Sequence, residues 1–357
     1  MKKISSLVLV LILALSLVAC GGSTTPTTKA PANAATDGAA AAEGTTKADG
    51  TASAGGEKIV LGFSQVGSES EFRTANTNDV RKWADLEGVD LQFSDAQQKQ
   101  ENQIRAIRSF IASEVDVIAF VPIVNSGWET VLQEAKDAGI PVMLVDRGVT
   151  ADESLYVTRI GMDTLKEGAD AFNWIDNYIT KEKKQPRQGD IFNIVILEGT
   201  VGSSVALDRL NGFKEAMAAS ANAGKYEIIL SQTGEYTRAK GKEVMESFLR
   251  SAGDKIDILF AANDDMALGA IQAIEAAGLK PGKDIIIVSI DAAKGAFNAM
   301  IEGKLNAAVE HNPLMGQKIM EIAKKIAAGE TVDRMYYVEQ GIYDQSNAAS
   351  ELPNRQY

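Results

Sequence analysis

Cysteine and histidine are nearly missing from this chain: one of each occurs in 357 residues, with eight prolines and an aromatic share of only 6%. A single cysteine, Cys20, excludes any internal disulfide, so stability must come from packing. A single histidine, His311, without cysteine companions, excludes a zinc-type site, and neither metal nor cofactor is expected. Gly-x-Ser-x-Gly is absent, and Lys240-Gly241-Lys242 lacks the upstream glycine and following Ser/Thr of a phosphate loop. Positive charge is also short. Lys and Arg number 36 against 48 Asp and Glu, for a net charge of -12, which argues against binding nucleic acid or anionic lipid through electrostatics. Carboxylates are plentiful, so a two-carboxylate hydrolase stays open at this point.

Apolar runs are short as well. The longest, Leu7 to Ala19, follows Lys2 and Lys3 and falls short of the roughly 20 residues that span a bilayer, so it reads as a cleavable export signal over residues 1–19. Leu17-Val18-Ala19-Cys20-Gly21 resembles the lipobox of bacterial lipoproteins, which implies cleavage before Cys20, its acylation, and a lipid bilayer as partner on the extracytoplasmic side. Residues 20–56 are almost wholly Ala, Thr, Gly, Ser, Asp and Pro. Such a segment buries no core and serves as a solvated tether.

From Ile59 onward the pattern is globular. Short apolar runs at Ile59 to Val66, Val89 to Asp95, Val115 to Pro122 and Pro141 to Arg147 predict strands, separated by segments of helical period over Thr77 to Glu87, Gln100 to Ser113 and Gly127 to Ala138. The alternation restarts with a helix at Thr164 and continues to the strand Ile285 to Ile290. Runs such as Ile285-Ile286-Ile287-Val288, apolar on consecutive residues, suit strands covered by helices on both faces. The fold class is therefore α/β, with two doubly wound parallel-sheet lobes. Crossovers are expected near Ile160 to Asp163, Asp291 to Ala293 and His311 to Pro313. They give a first lobe of 57–161 plus 293–311 and a second of 162–292 plus 312–357.

In such sheets the loops after the carboxyl ends of strands form the ligand crevice. Asp146-Arg147 closes one strand; a carboxylate and a planar guanidinium side by side bracket a polyol edge, or equally form an internal ion pair. In Asn263-Asp264-Asp265 the aspartates read as caps of the following helix, which leaves Asn263 to face a ligand. Asp291 ends a strand and serves a ligand, a hinge or a turn. Trp128 reads as packing.

Several landmarks then coincide: Ile140-Pro141-Val142 through Asp146-Arg147, Asp208-Arg209 before Gly212-Phe213, Asn263-Asp264-Asp265-Met266-Ala267-Leu268-Gly269-Ala270, and Ser289-Ile290-Asp291. In this order and spacing they resemble the periplasmic sugar-binding proteins of the ribose and galactose class, which feed ABC importers. The segments Phe63 to Ser70, Gln97 to Ile104 and Lys240 to Phe248 look like the galactofuranose-binding branch. The resemblance implies a type I periplasmic binding fold and no enzyme activity. It implies a monosaccharide, a furanose or pentose, held between the lobes by Ser68, Glu69, Phe72, Arg73, Asp146, Arg147, Asn263 and Asp291, with Arg209 in the matching loop. It further implies an ABC permease as partner, with the protein acting as a monomer; a sensor subunit for a membrane receptor is the alternative. Two departures stand out. Glu71-Phe72 replaces the Gly-Trp of that branch, shrinking the aromatic platform and adding an acid, and Ala292 follows Asp291 where a glycine is usual. Whether Glu310 or His311 faces the cleft is left open.

Overall fold

Consecutive β-branched and aliphatic residues build two sheets whose interior strands are buried on both faces. The computed structural model describes residues 58–357; the export signal, Cys20 and the tether lie outside the described residues. The first half runs β1 (Val60–Gln65), α1 (Glu71–Glu87), β2 (Asp90–Asp95), α2 (Gln100–Ala112), β3 (Val117–Phe120), α3 (Glu129–Asp137), β4 (Val142–Val145) and β5 (Thr158–Gly161). The second runs α4 (Thr164–Glu182), β6 (Phe192–Glu198), α5 (Ser204–Ala219), β7 (Tyr226–Thr233), α6 (Arg238–Ala252), β8 (Ile256–Ala261), α7 (Asp264–Ala276), β9 (Ile286–Asp291), α8 (Lys294–Ile301) and β10 (Ala307–Glu310). It is followed by α9 (Gly316–Ala327), β11 (Met335–Tyr337), β12 (Ile342–Asp344) and α10 (Ala348–Glu351).

The first sheet has the order β11-β5-β4-β3-β1-β2 and is parallel throughout. The second has the order β12-β10-β9-β8-β6-β7, parallel except for β12 at its edge. Each sheet carries an apolar cluster on either face. The α/β fold class with two doubly wound lobes is the one observed, because only helices on both faces can cover strands that are apolar on consecutive residues.

The lobe boundaries need correction. The expected crossover at Asp291 to Ala293 does not exist: β10 pairs with β9 and β12, so residues 293–311 belong to the second lobe. Conversely α9, placed in the second lobe by the sequence, packs Ile319, Met320 and Ile326 into the core of the first, and β11 pairs with β5. The chain thus passes between lobes after β5, between β10 and α9, and between β11 and β12. The pairing of a three- or four-residue edge strand depends on distant chain, which no local periodicity reports.

Two further details position the site. Helix α1 begins at Glu71, six residues earlier than its period suggests, because Ser70 caps it by accepting from the Arg73 amide at 3.1 Å. Phe72 and Arg73 therefore stand on a helical first turn rather than in a loop. Helices α4 and α5 approach closely at two glycines: a Cβ on Gly168 would lie 2.0 Å from the Arg209 carbonyl, and one on Gly212 1.9 Å from that of Leu165.

Candidate functional site

The carboxyl edges of both sheets face one another, and the loops and helix starts that follow them line a small cavity between the lobes. The first lobe contributes Glu69, Ser70, Phe72 and Arg73 around the start of α1, and Asp146-Arg147 after β4. The second contributes Val205 and Arg209 of α5, Tyr236 after β7, Asn263 after β8 and Asp291 at the end of β9. His311, at the β10 to α9 crossover, completes the wall.

The charged groups form a continuous row of alternating sign. Arg73 donates Nε to Glu69 Oε1 at 3.3 Å and Nη2 to Asp146 Oδ2 at 2.7 Å. Asp146 Oδ1 lies 2.9 Å from His311 Nε2, and His311 Nδ1 lies 2.6 Å from Glu167 Oε1. Glu167 Oε2 accepts from Arg209 Nε at 2.8 Å, and Arg209 Nη2 stands 3.7 Å from Asp291. The imidazole joins a carboxylate of each lobe.

Electrostatics differ along the row. Burial opposes ionisation of Asp146, yet Arg73, His311 and Arg147 outweigh it and hold the carboxyl well below the usual range. Glu167 is lowered the same way, with His311 and Arg209 overcoming its burial. At Asp291 burial wins: the carboxyl is pushed well above its ordinary value, Arg209 offsetting only part and Asp264 adding to the rise. Burial likewise raises the Tyr236 phenol.

Five cavity residues carry a buried polar atom with no hydrogen-bond partner in the protein: Glu69 Oε2, Arg73 Nη1, Arg147 Nε, Arg209 Nη2 and Tyr236 Oη. Buried polar atoms are ordinarily paired. Their convergence on one cavity describes a surface built for a ligand rich in hydroxyls. Phe72 supplies an apolar ring, tilted against His311 at 4.7 Å between centroids. Tyr236 supplies a second; it fits because Gly199 has no side chain, a Cβ there lying 2.0 Å from the phenol ring.

Of the residues expected at the site, Glu69, Phe72, Arg73, Asp146, Arg147, Arg209, Asn263 and Asp291 line this cavity. Ser68 does not; it is exposed on an outer groove, where its hydroxyl reaches Asp95 at 3.4 Å. Asn263 is the cap of α7, accepting from the Met266 amide and donating to the Tyr236 carbonyl, so both ends of its amide are engaged. Asp264 and Asp265, expected as caps, turn elsewhere: Asp264 to Ser289 and the Ala293 amide, Asp265 to Arg238 and the Glu71 amide. His311 rather than Glu310 faces the cleft; Glu310 bonds Arg355 and Tyr357. Trp128 is buried against Phe120 and donates to the Val124 carbonyl. Tyr236 and Glu167 were not anticipated. The rule that placed the other loops points equally to the one after β7, whereas Glu167 lies within a helix and is found only through the α4–α5 approach.

Two lobes, three crossovers and a polar cavity between facing carboxyl edges define a solute-binding protein of the hinged, two-domain kind. A periplasmic binding protein domain model matches residues 61–331, and the chain belongs to that family. It is 46% identical to the galactofuranose-binding protein YtfQ of Escherichia coli over 301 residues, 83% of this chain and 91% of that one. A Mycobacterium smegmatis structure in complex with β-D-fucofuranose shares 49% identity at a TM-score of 0.79, covering 84% of this chain and 95% of that one. The periplasmic component of a Shewanella arabinose ABC transporter, bound to α- and β-L-arabinofuranose, shares 44% at 0.77, covering 84% and 96%. The resemblance to the ribose and galactose class is borne out by these matches.

Proposed function

We propose that the protein is a lipid-anchored, extracytoplasmic solute-binding protein that takes an uncharged monosaccharide in its furanose form between the lobes and presents it to an ABC permease. The observation that carries this reading is the convergence of unpartnered donors and acceptors of Glu69, Arg73, Arg147, Arg209 and Tyr236 on one cavity between the lobes. Sugar hydroxyls both donate and accept, so they satisfy such a mixed set. Three arginines, Arg73, Arg147 and Arg209, face three ion-paired carboxylates, Glu69, Asp146 and Glu167, a balance that suits a neutral ring rather than a sugar phosphate or sugar acid. Relatives bound to fucofuranose and arabinofuranose support the five-membered ring. Asp146 and Glu167 are held in ion pairs on both sides, which favours binding over acid–base work by those two carboxylates.

A thermal-shift panel tests the reading. A ligand bound only by the folded state at a hundredfold excess over Kd adds roughly 2.7 kcal/mol of stability. Galactofuranose, arabinose, ribose, xylose, galactose and glucose are compared with methyl furanosides and methyl pyranosides. Shifts with furanosides and none with pyranosides are expected; the opposite pattern rejects the furanose. In cells, Cys20→Ser is expected to leave the membrane while keeping sugar binding, and its retention there rejects the anchor.

A further inference from the structure

Asp291 and Ala292 are consecutive side-chain-bearing residues with φ of 122° and 58°. Residues in such conformations persist where their surroundings over-determine them. Three ties do so here. The His311 amide donates to the Asp291 carbonyl at 3.2 Å, and Asp264 accepts from the Ala293 amide at 2.7 Å. The third comes from outside the cavity: Arg355 Nη2 donates to the Ala292 carbonyl at 2.9 Å.

Arg355 is itself tightly fixed. Its Nη1 donates to Glu310 Oε1 at 2.8 Å and to the Tyr343 hydroxyl at 3.1 Å, and its guanidinium lies 5.0, 4.8 and 4.6 Å from the rings of Phe297, Tyr343 and Tyr357. The planar fork spans Glu310 on one nitrogen and the Ala292 carbonyl on the other, a division that a lysine ammonium does not reproduce. Glu310 precedes His311, so the same cluster braces two neighbouring stretches of the cavity wall, while Arg355 is absent from the lining itself.

We propose that Arg355 is a positioning residue for ligand binding: by holding the Ala292 carbonyl it keeps the strained Asp291–Ala292 turn in the conformation that presents the Asp291 carboxylate to the cavity. The inference rests on the sugar-binding reading of Asp291, and its test separates the two. In Arg355→Lys the charge beside Glu310 remains and the bond to Ala292 is lost; sugar Kd should rise about tenfold through faster dissociation, the equivalent of one buried hydrogen bond. Tyr343→Phe loosens the same cluster without touching the Ala292 carbonyl and should change Kd by less than about twofold. In an Asp291→Asn background, Arg355→Lys should cost no further affinity. Wild-type Kd in Arg355→Lys, equal weakening by Tyr343→Phe, or full additivity with Asp291→Asn would overturn the proposal. Amide hydrogen exchange provides a ligand-free arm. Arg355→Lys should speed exchange at Ala293 and His311, and unchanged rates there reject the positioning role even in a protein that binds no sugar in the panel.

Discussion

Glu71 of the first lobe and Arg238 of the second are joined at 2.9 Å across the mouth of the cleft, outside the cavity. Asp265 accepts from the same guanidinium at 2.8 Å and from the Glu71 amide at 2.7 Å, while Glu71 Oε2 accepts from the Gly295 amide at 3.3 Å. Glu71, the acid that departs from the resembled branch, thus ties the first lobe to the second.

This tie sets a modest, uniform increment of affinity. Both side chains are more than 40% exposed, which limits such a pair to about 1 kcal/mol or less, so Glu71→Ala should weaken every bound sugar by about two- to fivefold. Because exposed pairs are screened by salt, wild-type affinity should fall toward that of the variant as ionic strength rises. Titration calorimetry at low and high salt checks this; a loss confined to one sugar would place Glu71 in contact with ligand.

Asp146 and Asp291 should separate affinity from stability. Removing Asp146 leaves the buried Arg73 with Glu69 alone and the buried His311 with Glu167 alone, so Asp146→Ala should abolish binding and also cost about 1 to 3 kcal/mol of folding stability. Asp291 is disfavoured as an anion by its burial; Asp291→Asn should weaken binding while the unliganded melting temperature stays at or above wild type. Denaturation of the unliganded variants beside sugar titration decides it. Equal stability of the two would contradict the ion-pair row.

The pH dependence follows from opposite shifts. Burial pushes Asp264 up to about 7, against hydrogen bonds from Ser289 and the Ala293 amide. Its neutral form is thus favoured in the fold, and its stabilising effect, complete below about pH 4, is lost as pH rises through 7. Asp146 and Glu167 have lowered values, so they stabilise above their unfolded range near pH 4 and lose that effect as pH falls further. Unliganded stability should therefore peak in mildly acidic solution, and Asp264→Asn should flatten the decline between about pH 4 and 7. Chemical denaturation across pH measures both; a wild-type stability that rises from pH 5 to 8 would contradict it.

Gly199 tests the role of Tyr236. With the phenol ring only 2.0 Å from where a Cβ would stand, Gly199→Ala must displace it from the cavity wall. Sugar affinity should fall by more than about tenfold, as for loss of a buried polar contact together with its packing. In a Tyr236→Ala background the same substitution should do little more. Additive losses would mean that Gly199 acts elsewhere.

What the sequence made legible was local. Apolar runs located the long interior strands, and the rule that ligands meet strand carboxyl ends brought Asp146, Arg147, Asn263 and Asp291 to one place. What it concealed was set by distance along the chain. Strands β5 and β11 are short and read as connections until they pair. Phe72 and Arg73 looked like loop residues because an inward face carrying Arg73 and Asn76 lacks the apolar period of a helix. Glu167 acquires meaning only where Gly168 lets α5 come close enough for Arg209 to reach it.

The return of α9 and β11 to the first sheet also bears on when the molecule can fold. Until residues 315–337 exist, one face of the first core lacks Met315, Ile319, Met320, Ile322, Ala323 and Ile326, and the second sheet still awaits its edge strand at 342–344. Domains generally fold as units and N-terminal ones first during synthesis, but here the opening lobe cannot complete itself ahead of the other. Neither half has all of its sheet and core until the last few dozen residues have been made.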